Sequence, residues 1–188
     1  MLARTLIAST ILVGAATTAM PRHGTSTTHL PTAASVSEPA PAWHNDSWLN
    51  ADAPVTLASL RGRVVLLNFW VFTCINCTRT VPSLVRFDAT YRDQGLSIIG
   101  IHTPEFPPYG GEHSKSNVAK SLTRYGIKYP IAQDNDNATW NLYDIRYWPS
   151  FVLIDKQGKI RYRGYGEFHV GDGNDRLWEG RIKELLAE

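Results

Sequence analysis

Apolar residues along this chain follow two rhythms. RVVLLNFW (63–70) and LSIIGI (96–101) are short, nearly unbroken apolar runs rich in β-branched and aromatic side chains. Such runs predict strands covered on both faces, as in a parallel or mixed sheet. Elsewhere the apolar spacing is helical. Val81, Leu84, Val85, Phe87 and Tyr91 mark a helix over 78–93, and Leu177, Trp178, Ile182, Leu185 and Leu186 mark another over 173–187. Ser114 is a candidate cap for a helix that runs to Tyr125 and closes at Gly126. Residues 129–132 predict a short strand and 137–143 a short helix. FVLID (151–155), Gln157-Gly158 and 159–163 predict a β-hairpin. VTLASL (55–60) alternates weakly and suits a short strand or a turn. The order β-α-β-α-β-α-β-β-α predicts an α/β fold, a mixed sheet with helices on both faces.

Composition changes this picture mainly at the N-terminus. The 188 residues are 43% hydrophobic, enough for one domain with a real core plus extra chain. A net charge of +2 without basic runs gives no electrostatic footprint for nucleic acid. Residues 1–20 place Arg4 before an apolar run and then small residues, the pattern of a signal peptide or an uncleaved anchor. Either puts the remainder outside the cytoplasm. Residues 21–42 are rich in Pro, Thr, Ser and Ala and nearly free of large apolar groups, which reads as a flexible tether. The folded domain is then expected from Trp43 to Glu188.

The chemistry concentrates in FWVFTCINC (69–77), which holds both cysteines of the chain. Three uses of Cys74 and Cys77 compete. As a structural staple they close a tiny loop, worth only roughly 2 kcal/mol before strain is subtracted. As half of a zinc site they lack a second ligand pair, and His44, His102, His113 and His169 are not closely spaced. As a redox pair they sit where the pattern changes from strand to helix. There a Cys74 thiolate meets unpaired N–H groups and the positive end of the helix dipole. Cys77 follows one turn later, placed to attack a mixed disulfide on Cys74. The strand-to-helix context favours this third use. Pro82 is expected to interrupt the helix just past the cysteines.

The stretches LRGRVVLLNFWVFTCINC, LSIIGIHTPEF, IKYPIAQDND and YWPSFVLIDKQGKI together resemble the thioredoxin superfamily. Within it they are most similar to exported TlpA/ResA/DsbE-like thiol:disulfide oxidoreductases and to the redoxin domain of DipZ-type proteins. The resemblance implies a thioredoxin-like fold with an N-terminal extension and an insertion after the second core strand. It implies a cis-proline loop facing the cysteines, here at Pro149 in YWPS (147–150), with Trp148 offering an apolar contact to substrate. Thr73 stands where many thioredoxins have Trp and is the second candidate substrate contact. Asn68 stands where many have a buried Asp, and Asn cannot act as a base. In the TlpA/ResA-like branch an acid after the next strand takes that part, and Glu105 in HTPEF (102–106) is the matching proton acceptor. His102 is a weaker tuning candidate. The implied partners are a protein disulfide and a membrane thiol donor, for a monomer with no cofactor beyond a Cys74–Cys77 disulfide. Two alternatives stay open. One is a thiol peroxidase, although Leu67 and Val71 replace the Pro and Thr of the peroxiredoxin frame. The other is a copper-binding or non-catalytic module.

Overall fold

The computed structural model of the chain describes residues 37–105 and 111–188. The expected signal segment, residues 21–36 of the expected tether and residues 106–110 lie outside them. Two short strands come first, β1 (Glu38–Pro39) and β2 (Ser47–Leu49). A 3-10 turn at Ala58–Leu60 follows, so the weakly alternating 55–60 segment is a turn and not a strand.

The two apolar runs become β3 (Val64–Trp70), buried at every position, and β4 (Leu96–His102). They pair in parallel from Val64↔Leu96 to Trp70↔His102. Parallel neighbours need a crossover, which α1 (Ile75–Tyr91) supplies. A second crossover, α2 (Lys115–Tyr125), leads to β5 (Ile131–Gln133), again parallel to β4. The Ser114 side chain caps α2 by accepting from the Asn117 N–H, and Gly126 closes it at φ 69, a left-handed turn that suits glycine. After α3 (Ala138–Leu142), β6 (Ser150–Ile154) inserts antiparallel to the free side of β3. Its hairpin partner is β7 (Lys159–Tyr165), and α4 (Gly173–Ala187) ends the fold.

Among the described residues these strands form one seven-stranded sheet in the order β1-β7-β6-β3-β4-β5-β2. Each face carries its own apolar core. On one side Val64, Leu66 and Trp70 of β3 meet Val81, Leu84 and Phe87 of α1, Leu122 of α2, and Trp178 and Ile182 of α4. On the other, Val65, Leu67 and Phe69 meet Trp43, Trp48, Leu57 and Tyr143. Helices do lie on both faces, but the second is covered mostly by the irregular N-terminal chain.

Two expectations need correction. The domain does not start at Trp43, because Glu38–Pro39 pair with Ile160 and Lys159 and the Pro41 carbonyl accepts from the Tyr143 hydroxyl at 2.7 Å. Low apolar content hid this edge, since backbone pairing needs no apolar side chain. The first helix begins at Ile75, three residues before the expected start at 78, and it continues through Pro82 instead of being interrupted there. In its first turn Ile75 is exposed, and Cys77 turns into the core.

Candidate active site

Three segments converge at the C-terminal edge of β3 and β4: the turn into α1, the loop after β4 and the loop before β6. Such an edge of a parallel sheet is a usual place for a site. Cys74 is the N-cap of α1, with extended backbone (φ −74, ψ 114). Its sulfur takes the part of a capping oxygen and accepts the Cys77 N–H at 3.3 Å. The helix thus places an orphan donor and its dipole on the sulfur.

The two thiols are free, and burial separates them. Cys74 is partly exposed, and Cys77 is 2% exposed within the α1 face of the core. The Cys74 thiol is lowered to about 7, first by the Cys77 thiol as hydrogen-bond donor and then by the Cys77 and Asn76 N–H groups. Burial and the Glu105 charge oppose this shift. Cys77 is pushed far up by burial and by the adjacent Cys74 sulfur. One sulfur is therefore poised as a thiolate near neutral pH, and the other holds its proton beneath it.

The loop before β6 faces this pair. The Trp148-Pro149 bond is cis, and the Cys74 thiol points to the Trp148 carbonyl at 3.9 Å. The Trp148 ring stacks on Trp140 at 4.1 Å, and its indole N–H donates to the Thr103 carbonyl at 3.1 Å. Most of the ring's polarity is thus used within the protein. Its backbone is the part that faces sulfur.

The remaining candidates separate. Glu105 is exposed, and its charge acts on Cys74; it is not among the leading influences on Cys77. His102 is fully buried, stacked on Phe72, and its Nε2 accepts the Phe72 N–H at 3.4 Å. Burial lowers it to about 3, so it stays neutral. It satisfies local backbone and carries no charge to the thiols. Asn68 is buried on the face that meets α1.

Sequence reading missed Glu112. This carboxylate is 1% exposed, accepts from the Thr73 hydroxyl through Oε1 and from the Glu105 N–H at 2.7 Å through Oε2. An isolated acid in a Gly-rich loop carries no periodic signal. Only its polar neighbourhood beside the Ser114 cap hinted at order. Among the described residues no cluster of three His, Cys, Asp or Glu is placed to share a metal ion.

The comparisons agree with this geometry. The profile of the AhpC/TSA family matches residues 36–163. Protein DipZ of Mycobacterium bovis is 47% identical over 143 residues, covering 75% of this chain and 19% of DipZ, so the chain spans about a fifth of that relative. Thiol-disulfide oxidoreductase YkuV of Bacillus subtilis is 27% identical over 76% of this chain and 89% of its own length. The crystal structure of a thioredoxin-like superfamily protein superposes with a TM-score of 0.70 at 27% identity, covering 80% of this chain and 97% of that one. With a cis-proline loop over a capping cysteine, a buried second thiol and a family profile matched over residues 36–163, the chain belongs to the AhpC/TSA family.

Proposed function

We propose that the chain is an exported enzyme that reduces protein disulfides through Cys74 and Cys77. The observation that carries this is the unequal pair: a partly exposed, thiolate-favouring Cys74 at a helix N-terminus above a buried, protonated Cys77. The Cys74 thiolate attacks one sulfur of a substrate disulfide. A Cys74–substrate disulfide forms and the second substrate sulfur leaves as a thiolate. Cys77 then loses its proton and attacks the Cys74 sulfur, releasing the remaining substrate thiolate. The substrate gains two electrons and the enzyme leaves as the Cys74–Cys77 disulfide. Glu105, exposed at the site, is the proposed acceptor for the Cys77 proton. The substrate segment lies along the Trp148-Pro149 loop, with Thr73 and Trp148 at its borders.

The reducing direction and the extracytoplasmic location rest on the resemblance and on the N-terminal pattern. A membrane thiol donor that restores the dithiol belongs to the same proposal. No helix among the described residues is long and apolar enough to cross a membrane. The peroxidase alternative is disfavoured by Leu67 and Val71, both buried and apolar where that chemistry uses Pro and Thr.

Trapping tests the roles. Cys77→Ser is expected to accumulate a mixed disulfide with a protein disulfide substrate such as insulin, and Cys74→Ser to accumulate none. Trapping by Cys74→Ser alone would reverse the assignment. Peroxide consumption faster than disulfide reduction, lost in Cys74→Ser, would replace it with the peroxidase.

A further inference from the structure

Glu112 joins two segments that both border Cys74. Oε1 takes the hydroxyl of Thr73, the residue directly before the cysteine, and Oε2 takes the backbone N–H of Glu105. Its burial makes those bonds consequential. A carboxylate removed from water depends on its donors, and charge-assisted bonds of this type are the stronger ones. Thr73 and Glu105 are otherwise exposed, so little else in their own packing holds them together.

We propose that Glu112 is a positioning residue that clamps the loop after β4 to the Thr73–Cys74 turn, and so keeps the Glu105 carboxylate within electrostatic reach of the Cys74 sulfur. The clamp sets how readily the site presents a thiolate. Glu105 is the one carboxylate among the leading influences on Cys74, and it opposes ionisation. Around the sulfur, α1 contributes the Cys77 thiol and the loop before β6 contributes the uncharged Trp148 carbonyl. His102, beneath Phe72, is neutral, with His113 opposing its ionisation from the side of the loop. Arg79, the next cation along α1, pairs with Glu167 at 3.7 Å. Release of the clamp therefore lets Glu105 move away and makes Cys74 more acidic.

This proposal deepens the dithiol function above, but its test does not require turnover. The pH dependence of Cys74 alkylation by iodoacetamide is measured on the full, reduced chain. Glu105→Gln and Glu112→Gln are each expected to lower the midpoint by roughly half a pH unit, the scale of one like charge removed at a partly exposed site. The double variant is expected to shift no further than Glu105→Gln alone, because Glu112 acts through Glu105. Additive shifts would overturn the positioning role and leave a direct charge effect. An unchanged midpoint in Glu112→Gln would overturn the proposal outright. Should Glu112→Gln fail to fold, Thr73→Val is expected to lower the midpoint and Thr73→Ser to leave it in place. Identical behaviour of those two variants would sink the clamp. Normal clamp behaviour without disulfide reduction would instead fault the function proposed above.

Discussion

Two identical side chains three residues apart hold opposite protonation preferences because the helix treats them differently. Cys74 caps the first turn and receives the N–H groups of Asn76 and Cys77, and Cys77 is carried beneath it into the core. Alkylation of the reduced protein is expected to follow a midpoint near the value of about 7 set for Cys74. Cys77 is expected to resist the reagent throughout. A midpoint above about 8.5, the ordinary thiol value, would refute the helix-cap account. Stability carries the same signature. The folded state lowers Cys74 from 9.0 to about 7, so this contribution is complete above pH 9 and is lost as pH falls through 7. Measured in urea under reducing conditions, the stability of the wild-type chain relative to Cys74→Ser is expected to rise between those limits. A flat difference would show that the cap does not favour the thiolate.

At the scale of elements, the site depends on joints that lie outside it. Fully buried Asp134 accepts the Thr139 N–H at 2.8 Å, the Trp140 N–H at 2.9 Å and the Thr103 hydroxyl at 3.0 Å. It thereby ties α3 to the end of β4. Trp140 in turn stacks on Trp148, and the Thr103 carbonyl receives the Trp148 indole. The loop that faces Cys74 is held from behind by this one carboxylate. Asp134→Ala strands two buried donors and one part-buried donor at about 1–3 kcal/mol each, so a loss of about 3 kcal/mol in urea unfolding is expected. Substrate KM should rise as Trp148 loosens. A cost below about 1 kcal/mol with unchanged KM would show the joint to be redundant. Pro82 follows the same logic of local tolerance. It removes one helical donor, yet α1 continues through it because Val81 and Leu84 on either side are buried.

Over the whole molecule, the N-terminal chain acts as a layer. Among the described residues the face of the sheet away from α1 has only the short α3 near it, and Trp43, Trp48 and Leu57 complete its cover. Trp43 is 1% exposed and donates its indole N–H to the Val55 carbonyl at 2.9 Å. Trp43→Ala is expected to cost about 3–5 kcal/mol, the range for emptying a large aromatic site. A chain starting at residue 43 is expected to be less stable than one starting at 37, because it lacks the β1–β7 pairing and the Pro41–Tyr143 bond. Equal melting temperatures would make those contacts incidental.

Local pattern carried most of the architecture. The two apolar runs became β3 and β4, helical spacing marked α1 and α4, Ser114 and Gly126 bounded α2, and Gly158 turned the hairpin. The Cys-x-x-Cys at a strand-to-helix change was legible for the same reason, since neighbouring residues decide which sulfur caps a helix. The backbone-paired strands Glu38–Pro39 and Ser47–Leu49 were not, because pairing without an apolar run leaves no periodic trace. Glu112 was missed in favour of Glu105 on like grounds. Its partner Thr73 lies 39 positions earlier, and a hydrogen bond across that distance exists only once β3 and β4 pair and bring their following loops together. By itself the sequence determined the elements from β3 onward, their order and the cysteine pair. Tertiary packing alone decided which carboxylate is buried, what holds the Trp148 loop against Cys74 and what covers the far face, because each depends on residues that meet only across the sheet.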